Sequence, residues 1–249
     1  MHYRSLGRAG VKVSVVGLGG NQFGGKVDVD GTSRIVHHAL DMGINFIDTA
    51  NTYSRGLSEE ALSFALSGRW ERVVLATKFR YPMGDGPNDQ RLSAYHVRRA
   101  CDESLRRLKT DHVDLYQMHH VDRSTPWEEI WQAMDQLVRE GKVLYVGSSN
   151  FAGWHIAQAQ AAAASRHFMG LVSEQSLYNL TDRLVEMEVV PACRHYGLGL
   201  LPWSPLAAGA LAGLGEAAAG RRASQVTERR IERDRPAIER FESFCRELG

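Results

Sequence analysis

The stretch NFIDTANTYS, residues 45–54, opens as an apolar strand and turns polar where a buried strand should stay apolar. Asp48 closes the apolar run, and Tyr53 follows beyond the polar turn TANT. Similar short runs recur as SVVGLGG, VVLATK, VDLYQMH, VLYVGSS, LVSEQS and GLGLLPWS, with helical patterns between them. That alternation predicts βα units around a parallel sheet, and the unbroken apolar character predicts strands covered on both faces. Ahead of the sheet, YRSL and VKV around GRAG predict a small hairpin.

The intervening helices carry readable signals. TPWEEIWQAMDQLVREGK predicts a capping box from Thr125 to Glu128, with Pro126 at the first helical position and Gly141 past the end. SAYHVRRACDESLRRLKTD puts Val97, Cys101, Leu105 and Leu108 on one stripe. PAIERFESFCRELG is expected as the helix after the seventh strand. Seven strands, each followed by a helix, predict a single α/β domain over residues 1–249, a (β/α)8 TIM barrel with an N-terminal β-hairpin. A closed barrel needs one more βα unit, and bare strand edges are a liability, so either the eighth unit is absent from these residues, which is the expectation, or the sheet is open.

Composition narrows the function classes. The formal charge is +1, which predicts neither a nucleic-acid partner nor a membrane surface. The Arg-rich run GRRASQVTERRIERDR mixes acids among its arginines and reads as a solvated helix or loop. Cys101, Cys193 and Cys245 are scattered, which predicts reduced thiols and not a disulfide framework or zinc site. The start MHYRSLGRAG has no apolar leader core, and no apolar run approaches spanning length; a cytoplasmic protein is expected.

In parallel α/β folds chemistry gathers at the carboxyl ends of strands. Here those ends supply Asp48, Lys78 in LATK, His119 in LYQMH, GSSN, Gln175 and WSPL, with Tyr53 in the loop after Asp48. An ammonium beside a phenol stabilises the phenolate, and a carboxylate offsets the cost of holding that ammonium in a dry site. The pattern therefore predicts proton transfer: Asp48 anchors Lys78, and Lys78 tunes Tyr53. His119 and His120 tempt a metal reading, with Asp122 nearby, but adjacent strand residues face opposite ways, so no metal is expected. GLGGNQFGG lacks the third glycine of a dinucleotide fingerprint, because Gln22 stands there.

Read together, these residues resemble the aldo-keto reductases, on the side of the bacterial reductases and potassium-channel β-subunits. The resemblance runs in order through YRSLGRAGVKVS, DTANTYSRGLSEE, LATK, DLYQMHH, GKVLYVGSSNF, EQSLYN and LPWSPLAAGAL. It implies Asp48, Tyr53, Lys78 and His119 as the catalytic four, with Tyr53 as the general acid that protonates a carbonyl oxygen and His119 orienting that carbonyl or helping relay the proton. It further implies that Ser149, Asn150 and Gln175 hold the nicotinamide carboxamide and that Trp203 stacks on its ring. Ser204, Leu206 and Gly209 would wrap the pyrophosphate, while Gly20 and Asn21 approach the ribose near Asp48.

The expected function is hydride transfer from NADPH, with NADH as the alternative, to a small aldehyde or ketone. Loop polarity at Asp85, Asn88, Asp89 and Arg91 allows a sugar-derived carbonyl. A cofactor-sensing regulatory subunit and an inactive truncated fragment are the competing expectations.

Overall fold

The computed structural model of the chain describes residues 1–212 and 225–248. The hairpin forms as expected: β1 (Tyr3–Ser5) pairs antiparallel with β2 (Lys12–Ser14). Gly7, between them, has φ +56°, and a Cβ there would lie 2.3 Å from the Val172 carbonyl oxygen and 2.4 Å from the Gly199 nitrogen. Only glycine tolerates that approach.

All seven expected sheet strands are present. They are β3 (Leu18–Gly19), β4 (Phe46–Asp48), β5 (Val74–Phe79), β6 (Val113–Met118), β7 (Val143–Ser149), β8 (Leu171–Leu177) and β9 (Gly199–Trp203). Their order in the sheet is their order in the chain, and neighbours from β3 to β8 run parallel. The helices that follow successive strands are α1 (Val29–Asp41), α2 (Leu57–Ala65), α3 (Ala94–Leu108), α4 (Trp127–Arg139), α5 (Gly153–Ser165), α6 (Val189–Tyr196) and α7 (Gln225–Leu248). This is the α/β topology of a TIM-type barrel through its seventh strand.

Apolar runs located the strands better than they measured them. Of SVVGLGG only Leu18 and Gly19 join the parallel sheet, Ser14 ends the hairpin strand β2, and Val15 and Val16 are 49% and 53% exposed. β5, by contrast, is buried along its whole length, and the ring of Phe79 stacks on Tyr116 of β6 at 4.4 Å. The predicted stripe of α3 is buried at Val97, Cys101, Leu105 and Leu108.

Two helix boundaries depart from expectation. The capping box at Thr125 does not form: Pro126 is the N-cap residue of α4, without a side-chain cap. Thr125 Oγ1 instead donates to Asp122, whose carboxylate also collects Leu92 N, Ser124 N and Ser124 Oγ. A charged acceptor outcompetes a neutral cap for the hydroxyl. Gly141 does follow the helix end, with φ +73°. The last helix begins at Gln225, so Pro236 lies inside it instead of opening it. Of the Arg-rich run, 225–235 is therefore helical and 220–224 falls outside the described residues.

Two compact units divide the chain. The first comprises Met1–Gln175 and Glu188–Leu200 and contains the core just described. The second comprises Ser176–Met187 and the described residues from Leu201 onward. Within it Ala207, Ala210, Leu211 and Ile238 form a buried cluster, with Ile231 and Phe241 packed against them. Among the described residues no helix is long and apolar enough to cross a membrane.

Gly7→Ala tests how firmly the hairpin is seated. The backbone clash and positive φ should cost about 2 kcal/mol or more, seen as a fall in Tm of roughly 4 °C or more by calorimetry. A Tm unchanged from wild type would show that the hairpin shifts freely.

Candidate active site

The site is built on one face of the parallel sheet. Asp48 pairs in register with Gly19 and Ala76, Lys78 with Gln117, Gln117 with Gly147, and Ser149 with Gln175. Register partners share a face, and residues two apart on a strand do too, so Asp48, Lys78, Gln117, Ser149 and Gln175 all project the same way. Gly147 leaves the space this needs: a Cβ there would sit 2.6 Å from Ser173 Oγ and 3.1 Å from Gln117 Cγ.

The Asp48 carboxylate is a hub. Its Oδ2 accepts from Lys78 Nζ at 2.6 Å, and its Oδ1 accepts from Gln117 Nε2 and Gln175 Nε2, each at 2.9 Å. Lys78 is fully buried and also donates to the Thr49 carbonyl at 2.8 Å and to Tyr53 Oη at 3.1 Å. Burial alone would push the Lys78 ammonium down, but Asp48 and then Tyr53 outweigh it, and its pKa is raised. The lysine is therefore charged at neutral pH, and its positive end touches the phenol.

Tyr53 is aimed by an unusual backbone. Ser54, Arg55 and Gly56 follow it with φ of 49°, 55° and 94°. Consecutive left-handed residues are rare and persist only where their surroundings hold them. Ser54 Oγ donates to the Phe23 carbonyl at 3.0 Å, tying this turn to the loop after β3. The Gly20 nitrogen donates to the Asp48 carbonyl at 2.7 Å, and Ser58 Oγ donates to the Gly20 carbonyl at 2.8 Å. Asn21 is exposed next to it.

His119 leaves the end of β6, its nitrogen bonded to the Phe79 carbonyl at 2.9 Å. Its ring meets Tyr53 edge-on at 5.9 Å and Tyr81 at 4.9 Å, and its Nδ1 is buried without a hydrogen bond. Burial first, then the positive charges of Lys78, His120 and Arg80, lower its pKa to about 3. The imidazole is neutral at physiological pH.

The structure thus gathers Asp48, Tyr53, Lys78, His119 and Gln175, with Gly20 and Ser149 on the same strand ends. Asn150, with φ 57°, donates from Nδ2 to the His119 carbonyl at 3.3 Å and to Ser149 Oγ at 3.0 Å. The other four candidates belong to the second unit. There Trp203 ends β9, and the Ser204 carbonyl accepts from Asn179 Nδ2 at 3.1 Å. Leu206 is exposed, and Gly209 has φ 99°.

Sequence reading missed Gln117 and Tyr81. Gln117 stands two residues before His119 within the buried strand VDLYQM, and a polar amide there was a signal of the same kind as Asp48. Tyr81 lies in a loop, where no periodicity marks it. Two other buried carboxylates hold the fold instead: Glu59 accepts from Thr77 Oγ1 and Arg107 Nε, and Glu174 from Ser148 Oγ and the Phe151 nitrogen.

The sequence model of the aldo/keto reductase family matches residues 15–249. The chain belongs to that family. Among curated proteins it is similar to the uncharacterized oxidoreductase YrpG of Bacillus subtilis, at 50% identity over 262 aligned residues, covering 100% of this chain and 80% of that protein. It also resembles the versiconal hemiacetal acetate reductase of Aspergillus parasiticus, 37% identical over 238 residues, 85% of this chain and 69% of that one. A probable voltage-gated potassium channel subunit beta of Arabidopsis thaliana is 38% identical over 218 residues, 86% of this chain and 66% of that protein. The family and its oxidoreductase members make this aldo/keto reductase an oxidoreductase enzyme, for which a nicotinamide cofactor is the family's expectation.

The depressed imidazole gives a direct test. By NMR the His119 ring should stay neutral from pH 8 down to about pH 5, since its pKa is about 3. A midpoint near the ordinary value of about 6.5 would overturn the burial argument. By linkage, stability held through this neutral ring is full above about pH 6.5 and lost as pH falls towards the folded value.

Proposed function

We propose that the protein reduces an aldehyde or ketone with NADPH, and that Tyr53 delivers the proton. The observation that carries this reading is the buried Lys78 ammonium, which touches Asp48 at 2.6 Å and Tyr53 Oη at 3.1 Å.

The residues present suit a nicotinamide. Ser149 and Gln175 are register partners, both buried, and Asn150 adds an amide, so the strand ends offer hydroxyl and amide groups to a carboxamide. Trp203, Ser204, Leu206 and Gly209 take the ring-stacking and pyrophosphate roles that the family resemblance implies, and Gly20 and Asn21 the ribose role. When bound, the reduced nicotinamide supplies the hydride.

This chain's own residues do the rest. Tyr53 Oη donates its proton to the carbonyl oxygen, leaving a phenolate that Lys78 stabilises. Asp48 holds Lys78 in place, and Gln117 and Gln175 fix the carboxylate that does so. The neutral His119 ring orients the carbonyl without competing as a proton donor at neutral pH. Catalytic groups fixed before substrate arrives need little reorganisation during reaction.

A reducing, cytoplasmic compartment fits the free state of Cys101, Cys193 and Cys245. Asp89 and Arg91 of the polar loop are engaged with Arg99 and Ser124, which leaves Asp85 and Asn88 to meet a sugar-derived carbonyl. Likeness to the Arabidopsis channel subunit favours a second reading, a protein that binds the cofactor and turns over little.

NADPH oxidation across a carbonyl panel separates the two readings. Steady turnover is expected, and Tyr53→Phe should lower kcat by roughly 100- to 10,000-fold while cofactor affinity stays the same. Retained turnover in Tyr53→Phe would sink the proton-donor role. Lys78→Met leaves the Asp48 carboxylate without its cation, so both activity and Tm should fall, the latter reflecting about 3 kcal/mol or more.

A further inference from the structure

β5 and β6 end side by side, with Phe79 and Met118 in register, and the residues after them are Arg80 and His119. Arg80 has φ +134°, a region that side-chain-bearing residues avoid, so the fold holds this stretch of backbone at some conformational cost. The guanidinium lies 5.0 Å from the Tyr81 ring, whose other contact is His119 at 4.9 Å. Nη2 makes one long bond, 3.4 Å to the Val121 carbonyl, and Nε is buried with no hydrogen bond at all.

Arg123, exposed on the loop after β6, lies with Nε 3.3 Å from His155 Nε2 and its guanidinium 6.0 Å from the Trp154 ring. Neither arginine belongs to an ion pair among the described residues. Two acids on these loops are engaged elsewhere, while Asp85 is exposed farther along the loop from Arg80. Asp122 is turned to Leu92, Ser124, Thr125 and Arg91, and Asp89 to Arg99 and the Gly86 nitrogen. Glu188 is an acid near His155, where it favours the protonated ring while Arg123 disfavours it. His120 has a buried Nδ1 without a hydrogen bond, and after burial the positive charge of Arg80 is the main influence lowering its pKa.

Arg80 and Arg123 thus stand outside any ion pair among the described residues, Arg80 directly after β5 and Arg123 on the loop after β6. We propose that Arg80, assisted by Arg123 and the His120 ring, forms an anion-reading subsite beside His119, so that preferred substrates are carbonyl compounds carrying a carboxylate. A carboxylate would take the buried Arg80 Nε–H and a neighbouring Nη–H together, the planar fork geometry that guanidinium favours. It would also satisfy a donor that otherwise stays desolvated and unpaired. The inference rests on the carbonyl-reductase reading of the same site and adds its substrate class.

Isothermal titration of the full chain with benzoate and with benzamide, neutral and of the same shape, tests the subsite without requiring turnover. Benzoate should bind about tenfold more tightly or better, and Arg80→Met should bring the two close to parity. Arg123→Met, at an exposed position, should narrow the ratio in the same direction and serves if Arg80→Met fails to fold. Equal affinity for the two ligands in wild type overturns the proposal. So does a benzoate preference that survives both substitutions. Kinetics with 4-carboxybenzaldehyde and methyl 4-formylbenzoate then read the substrate class: kcat/KM should favour the carboxylate in wild type and lose that preference in Arg80→Met. A preference for the ester would also overturn the assignment. If neither aldehyde is reduced while the Arg80-dependent benzoate preference holds, the anion subsite stands and the reductase reading fails.

Discussion

A lysine with no solvent exposure sits among seven parallel strands, and much of the site follows from keeping it charged. Removing an ammonium from water is costly, and removing one partner from a buried ion pair typically costs about 3–5 kcal/mol. Lys78 meets that cost with three oxygens: the Asp48 carboxylate, the Thr49 carbonyl and Tyr53 Oη. Asp48 must then be satisfied in turn, which explains two glutamines from different strands converging on Oδ1. Even the glycine at 147 belongs to this constraint, because a side chain there would press on Gln117. The phenol is the one partner of Lys78 that carries a transferable proton.

Strain collects on the same side of the sheet as the chemistry. Ser54 and Arg55 after β4, Arg80 after β5 and Asn150 after β7 all have positive φ. Each directs a side chain or its neighbour at the point where a strand hands over to a loop. Such conformations survive where packing and hydrogen bonds over-determine them, and the buried strand ends do that here. The rigid sheet supplies position, and the loops supply specificity.

The likeness to both reductases and a channel subunit is what this geometry leads one to expect. A charged lysine, a phenol and a neutral imidazole suit the proposed carbonyl reduction, and the same hydrogen-bonding groups suit cofactor binding alone.

Alternating apolar runs and helical stripes were enough to place every sheet strand and most helices, because burial between layers enforces that pattern wherever it occurs. Polar residues at strand ends, Asp48, Lys78 and His119, were legible for the converse reason: a polar group there is expensive unless something meets it. Helix starts were less legible. Thr125 and Pro236 looked like local signals, yet Asp122 claimed the threonine and the last helix ran on through the proline. The roles of Gln117, Gly147 and Arg80 came only with tertiary structure. They depend on which residues face one another across the sheet and on which charges are left without partners, and distance in space is not encoded in any local stretch of the chain.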